Sequence, residues 1–286
     1  SDDKGENIIQ KTLPCSVHGN EVGRATGDRL IYKNGRLYFG SQTAGIIYSE
    51  DMGDSWQSVD LFGEKNISLI WTDSEGKLFI AGCSGEANSP DGVTRGHTLY
   101  CSTDGLKSFV PLTAPDPVKY ENSSYYGFVP QRITSDSRYI YITFASSGEV
   151  FYGGMGAYAC DTGSLSGGKV YRYRIENGVP VFNKDITPED HIPCGYSGIC
   201  SNGKMLLLST VCRKNGGDII YTSTDSGESW KIIMNRLEYC RFDWNIPYMK
   251  PRYNGGGNCV HWISDIKLSP FDSDTALFNT GTGLFM

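Results

Sequence analysis

Residues Leu37 to Trp56 read LYFGSQTAGIIYSEDMGDSW, and the same arrangement returns later in the chain. A short apolar run ends in small residues, a second apolar run follows, and a polar turn then closes on an aromatic residue. Further copies occur at Leu78 to Phe109 and at Leu206 to Trp230. A unit of roughly 40–50 residues that repeats in this way is typical of β-propeller blades. We therefore predict an all-β fold built from four-stranded blades.

The polar turn of each copy follows the Asp-box pattern, S-x-D-x-G-x-x-W. Two copies match at every position, namely Ser49, Asp51, Gly53 and Trp56, and Ser223, Asp225, Gly227 and Trp230. In this pattern serine and aspartate satisfy turn amides, glycine takes a positive φ, and tryptophan folds back onto the blade. We therefore predict a structural role for these carboxylates and no catalytic one.

Two further copies of the turn are incomplete. One has Ser102 and Asp104 in place and Phe109 at the aromatic position, but Gly105 comes one residue early. The other opens the chain, with Ser1, Asp3 and Gly5 followed by Ile8 where the aromatic residue belongs. The first residue therefore already lies inside a repeat.

The rest of the chain supplies a blade without a box and the beginning of another. YIYITFASSG (Tyr139 to Gly148) and GKVYRYRIENGVPVF (Gly168 to Phe182) contain strand patterns and an Asn-Gly hairpin turn. ALFNTGTGLFM (Ala276 to Met286) repeats the first half of a unit. Residues 1–286 are thus expected to form one propeller domain that begins and ends within blades. Because an incomplete ring exposes sheet edges, we expect further sequence on both sides.

Charge and hydropathy exclude some classes of partner. The formal net charge is -6 and no Lys/Arg cluster occurs, which argues against nucleic acid and anionic membranes. No apolar run approaches the ~18 residues that a membrane span requires. The N-terminal residues lack the basic and apolar regions of a signal peptide, so export is left open.

The nine cysteines show no paired CxxC spacing, and the odd number leaves at least one thiol free. Reduced cysteines buried in strands are the favoured interpretation, and a Cys194–Cys200 or Cys240–Cys259 bridge stays open. The four histidines, His18, His97, His191 and His261, have no metal-ligand spacing. We expect neither a metal ion nor a cofactor.

Several stretches, in this order, resemble the xyloglucan-cleaving enzymes of glycoside hydrolase family 74. Besides the repeat itself, they are GRATGDRL (Gly23 to Leu30), GEVFYGGMGAY (Gly148 to Tyr158), CGYSGI (Cys194 to Ile199) and HWISDIKLSPFDSDTALFNTGTGLF (His261 to Phe285). The resemblance implies two seven-bladed propellers that face each other across a cleft for a xylose-branched β-1,4-glucan. This chain would supply most of one propeller and one wall of the cleft.

The resemblance also implies inverting hydrolysis by two aspartates, a base and an acid roughly 6.5–9.5 Å apart. In the family the base lies in the first blade and the acid in the second propeller, so neither can be assigned to a position here. The implied partners are a polysaccharide or oligosaccharide and the remainder of the protein's own chain. The implied location is extracellular or at the cell surface.

Aromatic side chains are the candidates for stacking on sugar rings. The irregular segment Leu237 to Gly257 contains Tyr239, Phe242, Trp244, Tyr248 and Tyr253, and the other candidates are Tyr152, Tyr196 and Trp262. Each could instead pack in the core. Arg24 could contact substrate or join Asp28 and Arg29 in an ion-pair network. Should the domain act alone, Glu238, Asp243 and Asp265 are the carboxylates in plausible cleft segments.

Two other functions are compatible with the repeats. A non-catalytic propeller for glycan binding or assembly would use the same boxes as scaffold alone. A sialidase-like exo-glycosidase also carries Asp boxes, but its arginine triad is not evident, and FVPQRI (Phe128 to Ile133) does not match its Arg-Ile-Pro strand.

Overall fold

The computed structural model describes residues 6–15, 28–41, 44–59, 65–86, 99–112, 128–146, 169–189, 195–211, 219–235, 263, 265–280 and 283–286. Throughout these ranges the regular structure is β-strand. A helix long and apolar enough to cross a membrane is not found in the described residues.

Nineteen strands follow one another along the described chain. Their bounds are Leu30–Lys33 (β1), Arg36–Gly40 (β2), Ile46–Ser49 (β3), Gln57–Val59 (β4), Lys65–Thr72 (β5), Phe79–Glu86 (β6), Leu99–Ser102 (β7), Val110–Pro111 (β8), Phe128–Ser135 (β9), Tyr139–Ser146 (β10), Lys169–Glu176 (β11), Val179–Asp185 (β12), Gly195–Ser201 (β13), Leu206–Val211 (β14), Ile219–Ser223 (β15), Lys231–Asn235 (β16), Asp265–Leu268 (β17), Ala276–Thr280 (β18) and Gly283–Phe285 (β19).

The strands form five antiparallel sheets, each connected in sequence order, which we call blades 1 to 5. Blades 1 to 4 have four strands each, and blade 5 has the three strands β17 to β19. The all-β propeller predicted from the repeats is therefore confirmed. The described residues give five blades, so the seven-bladed ring stays a prediction.

Tight turns set the register within blades. Asn34-Gly35 joins β1 to β2, and Asn177-Gly178 joins β11 to β12, with all four residues at positive φ. This backbone twist matches the twist of the flanking strands, and Asn-Gly adopts it at low cost. The hairpin predicted at Asn177-Gly178 is confirmed.

The core lies between neighbouring blades. Four apolar clusters join blades 1 and 2, 2 and 3, 3 and 4, and 4 and 5, so blades 2, 3 and 4 bury both faces against their neighbours. The first strands pack side by side, β9 on β13 and β13 on β17. A Cβ atom at Gly198 of β13 would come within 2.8 Å of the Ile266 backbone nitrogen, so glycine permits this close approach.

Two of the cysteines are buried thiols inside strands. Cys101 and Cys200 form no disulfide, and burial raises their pKa values to about 11 and about 12. The prediction of reduced cysteines in strands is confirmed for these two, and the alternative Cys194–Cys200 bridge is wrong because Cys200 is free. Cys240 and Cys259 lie outside the described residues.

Candidate functional site

Four charged side chains meet where the first strands of the blades come together, and we call them the inner cluster: Asp28, Arg132, Asp265 and Lys267. Lys267 Nζ lies 3.2 Å from Asp28 Oδ2 and 3.3 Å from Asp265 Oδ2. Arg132 Nε lies 3.5 Å from Asp265 Oδ1. The cluster therefore links the segment before blade 1 with the first strands of blades 3 and 5.

The alternation of side chains along β17 explains this placement. Asp265 and Lys267 lie on one face of the strand, whereas Ile266 between them is 1% exposed and packs in the core of blades 4 and 5. Asp28 is held by its own backbone, because its carbonyl oxygen accepts a 2.8 Å hydrogen bond from the Ile70 N–H. Both halves of the cluster are thus fixed by strand geometry.

Mutual attraction favours the charged forms of Asp28 and Lys267. Partial desolvation raises the pKa of Asp28, but the charges of Lys267 and Arg132 outweigh it and leave the pKa below its ordinary value. Desolvation lowers the pKa of Lys267, yet Asp265 and Asp28 leave it raised. The cluster pairs two carboxylates with two cations, so their formal charges cancel. Its carboxylates can accept hydrogen bonds and its cations can donate them.

The described carboxyl groups with shifted pKa values are all shifted downward: Asp28, Asp51, Asp104, Asp185, Asp225, Glu228 and Asp272. A general acid for glycoside hydrolysis needs a raised pKa so that it carries a proton near neutral pH. None of these seven groups meets that requirement. Glu238 and Asp243 lie outside the described residues, and Asp265 is engaged with Arg132 and Lys267.

Most of the residues predicted to contact sugar lie outside the described residues: Arg24, Tyr152, Tyr239, Phe242, Trp244, Tyr248, Tyr253 and Trp262. Their role stays a prediction. Tyr196 is described, and it is 0% exposed in β13, in the core shared by blades 3 and 4. Its ring packs near Tyr141 and Tyr221 and presents no face to solvent. The four histidines also lie outside the described residues.

The box turns have one hydrogen-bonding scheme. In blade 1 the Ser49 Oγ accepts from the Gly53 N–H and donates to Asp51 Oδ1, both at 2.8 Å. Asp51 then accepts from the backbone N–H and the hydroxyl of Ser55 at 2.8 and 2.6 Å. The turns of blades 2 and 4 repeat these contacts with Ser102, Asp104 and Ser108, and with Ser223, Asp225 and Ser229. The box at Ser1, Asp3 and Gly5 lies outside the described residues.

The second serine of the turn was missed by the S-x-D-x-G-x-x-W pattern. Hydrogen bonds from Ser55, Ser108 and Ser229 are the largest cause that lowers the pKa of Asp51, Asp104 and Asp225 to about 2. The signal was present, because serine precedes the aromatic residue in all three copies. These aspartates are therefore charged turn supports near neutral pH.

The backbone of the box turns explains why the glycine of blade 2 can stand one position earlier in the pattern. The fourth and fifth positions both have positive φ, as in Met52 and Gly53 or Ser226 and Gly227. In blade 2 these positions are Gly105 and Leu106, at φ 74 and 69. Because both positions are left-handed, glycine relieves strain at either one.

A further set of contacts ties the turn of blade 4 to blade 3. Arg172 Nη1 donates to the Ser226 carbonyl oxygen at 2.8 Å, and Nη2 lies 2.8 Å from Glu228 Oε1. The Arg172 guanidinium also stacks over the Tyr139 ring, 4.5 Å from its centroid. Trp230 Nε1 donates to the Ile186 carbonyl oxygen at 2.7 Å. The box turn therefore holds neighbouring blades together, which supports a structural role for it.

Among the described residues, no cluster of histidine, cysteine, aspartate or glutamate side chains could hold a metal ion. The inner cluster contains two carboxylates, but both are paired with cations at short distance.

Comparison with known proteins confirms the resemblance predicted from the sequence. No family model matches the chain. It is 24% identical to the oligoxyloglucan-reducing end-specific xyloglucanase of Emericella nidulans over 100% of this chain and 40% of that protein. It is 23% identical to a Paenibacillus sp xyloglucanase over 100% of this chain and 29% of that protein. The chain therefore spans well under half the length of these relatives.

A solved structure agrees with the fold. The crystal structure of the Niastella koreensis glycoside hydrolase family 74 enzyme superposes with a TM-score of 0.72 at 22% identity, covering 100% of this chain and 40% of that one. The chain is thus similar to xyloglucanases along its whole length, and it matches only part of their length. The inner cluster joins two of the family-like stretches, Gly23 to Leu30 and His261 to Phe285, through Asp28 and Lys267.

Proposed function

We propose that this chain is part of a glycoside hydrolase that cleaves a xyloglucan-like β-1,4-glucan and that it supplies one wall of the substrate cleft. The observation that carries the proposal is the similarity to xyloglucanases over 100% of the chain. The proposal includes an extracellular or cell-surface location, which the resemblance to the family implies.

The proposed mechanism is inverting hydrolysis by two aspartates contributed from outside this chain. Inversion needs a protonated acid and an ionised base with a water between the base and the sugar. The box aspartates do not suit the acid's role, because serine hydrogen bonds hold the pKa values of Asp51, Asp104 and Asp225 near 2. In the proposal these groups support the scaffold while the chain orients and binds the glucan.

The polar groups of the inner cluster suit a surface that binds sugar. Asp28 and Lys267 are about half exposed, at 53% and 51% of their side-chain surface, so they remain open to hydroxyl groups. A sugar hydroxyl both donates and accepts hydrogen bonds, so it can bind to a carboxylate and to an ammonium group. The inner cluster is therefore our candidate for the sugar-facing surface of the described residues.

The test uses the full-length protein that contains this chain. We expect it to release reducing ends from xyloglucan, and ¹H NMR of the earliest products to show the anomer opposite to the substrate linkage. The Asp104→Asn variant is expected to keep its activity per folded molecule, because Asp104 serves a turn. Retention of the anomeric configuration would disprove the two-aspartate inverting mechanism.

A hydrolase and a non-catalytic propeller differ in whether the bound glucan is cleaved. If the full-length protein binds xyloglucan oligosaccharides but releases no reducing ends under any pH tested, the hydrolase proposal is wrong. Release of sialic acid from sialylated glycans would also contradict it. Loss of binding in a folded Lys267→Gln variant would identify the inner cluster as part of the binding surface.

A further inference from the structure

A cavity of about 290 Å³ lies between blade 1 and the box turn of blade 2. Its lining includes Arg36, Tyr38, Tyr48 and Ser58 from blade 1, with Leu106 and Lys107 from the turn. Its volume is at the lower end of the range for small-molecule pockets, about 300–1,000 Å³. It is separate from the inner cluster, because it faces the second to fourth strands of blade 1.

At the corresponding junction of blades 3 and 4, the pocket beside the box turn has a volume of only about 10 Å³. The strand register shows which residues of the two junctions correspond. In blade 1, Tyr48 on the third strand lies opposite Tyr38 on the second strand and Gln57 on the fourth. In blade 3, Arg172 on the third strand lies opposite Tyr141 and Lys184 in the same way. Tyr48 therefore stands where blade 3 has Arg172. In the junction of blades 3 and 4, the Arg172 side chain crosses to the turn and occupies the space between the blades.

The turn side of the junction differs in charge. Glu228 precedes Ser229 and Trp230 in the turn of blade 4, and Lys107 precedes Ser108 and Phe109 in that of blade 2. The junction of blades 3 and 4 thus pairs a cation of the blade, Arg172, with a carboxylate of the turn, Glu228. The junction of blades 1 and 2 has an aromatic ring on the blade, Tyr48, and a cation on the turn, Lys107.

No carboxylate side chain lines the cavity among the described residues. Arg36 is paired with Glu50 and stands over the Tyr48 ring, 5.4 Å from its centroid. Lys107 donates its backbone N–H to Asp104, but its ammonium group has no ion pair within the described part of the chain. Tyr38 is 6% exposed, so Tyr48 is the tyrosine of the lining that is less buried. A cavity lined by Tyr48 and by a lysine without an ion pair in the described residues suits a ligand that has a carboxylate and an apolar face.

We infer that this cavity binds a hexuronic acid, as a free sugar or as a unit of an acidic polysaccharide. The sugar carboxylate pairs with the Lys107 ammonium and lies in the space that the Arg172 side chain fills in the other junction. One face of the pyranose ring packs beside the Tyr48 ring, and its hydroxyl groups hydrogen-bond to Ser58. The site is independent of the glucan cleft proposed above.

The experiment is a titration of the chain with galacturonic acid and with glucuronic acid, followed by saturation-transfer NMR and calorimetry. We expect saturable binding of a uronic acid and at least about tenfold weaker binding of glucose, which lacks the carboxylate. Equal binding of glucose, or no binding of either uronic acid, would overturn the inference. Inorganic phosphate that binds as tightly as the uronic acid would also overturn it, because the site would then recognise a bare anion.

Three variants separate the proposed contacts from a general loss of structure. Lys107→Glu is expected to weaken uronic acid binding about tenfold or more, whereas Lys231→Glu, the same charge change on exposed β16, is expected to leave it unchanged. The double variant Tyr48→Arg with Lys107→Glu rebuilds the charge pair of the other junction. It should abolish binding without lowering the melting temperature, and binding that survives in this folded variant contradicts the assignment.

Discussion

The guanidinium group of Arg172 donates a 2.8 Å hydrogen bond to the carbonyl oxygen of Ser226, and so joins the third strand of blade 3 to the box turn of blade 4. Arg172 is 6% exposed and also contacts Asn183 and Glu228. The turn backbone at Ser226 is left-handed, with φ 62. A buried cation thus fixes the orientation of a carbonyl that a left-handed residue presents to the neighbouring blade.

We predict that Arg172→Leu lowers the free energy of unfolding by about 3 kcal/mol. The change leaves the Ser226 carbonyl without its charged donor and removes the stacking on Tyr139. Urea unfolding followed by tryptophan fluorescence measures the change. Arg174→Leu is the matched control, because Arg174 lies on the same strand, is about half exposed and pairs with Glu176 at the surface. Its cost should stay below about 1 kcal/mol, and equal costs for both variants would contradict the role given to Arg172.

The second serine of the box turn gives a prediction about acid. Ser229→Ala removes the largest cause of the low pKa of Asp225, which is about 2 in the folded protein against an ordinary value of 3.8. We therefore expect the Asp225 pKa to rise in the variant, as measured by carboxyl ¹³C NMR. Thr224→Ala is the control, since the Thr224 hydroxyl makes no hydrogen bond within the described residues. An unchanged Asp225 pKa in Ser229→Ala would mean that the serine does not hold the carboxylate.

The same pKa values set the pH dependence of stability. Because the folded-state pKa of Asp51, Asp104 and Asp225 is lower than the unfolded-state value, these groups stabilise the fold fully above about pH 4. Their contribution is lost as the pH falls towards 2, when they become protonated. Denaturant midpoints between pH 5 and 2 should therefore fall less steeply in the triple Asp→Asn variant than in the wild type. Parallel curves would show that the three carboxylates do not couple to folding.

The turn of blade 1 predicts opposite effects for two adjacent changes. Met52 has φ 56 and is 59% exposed, whereas Gly53 has φ 93. Met52→Gly should raise the free energy of unfolding by about 1 kcal/mol, because glycine accepts a left-handed backbone without strain and little packing is lost. Gly53→Ala should lower it by about 1 kcal/mol for the converse reason. Urea unfolding of both variants tests this, and a loss of stability in Met52→Gly would show that its side chain is needed.

The repeats allowed the blades and their turns to be predicted because both depend on local spacing. Ser49, Asp51 and Gly53 are close in sequence, and their hydrogen bonds follow from the turn itself. From the sequence, Gly105 was read as a departure from the pattern, because it comes one residue early. It is consistent with a turn that has two left-handed positions.

Contacts between blades could not be predicted in the same way. The pairing of Arg172 with Ser226 depends on how two sheets pack, and neither residue type alone indicates it. Tyr196 illustrates the same limit, because a strand tyrosine can face solvent or a neighbouring sheet, and here blades 3 and 4 bury it. An ion-pair network at Asp28 was one alternative from the sequence, but its partner Lys267 lies 239 positions away.

The contact between Asp28 and Lys267 gives a last prediction. Lys267→Gln removes the positive charge that does most to lower the pKa of Asp28, so that pKa should rise towards its ordinary value. Asp28 then stabilises the fold less above about pH 4, and the loss of stability on acidification becomes shallower. Carboxyl NMR titration measures the pKa. Lys77→Gln, which removes an exposed lysine paired with Glu75, should leave it unchanged. If Asp28 titrates identically in both variants, the ion pair does not persist in solution and the first and last described blades are not joined through it.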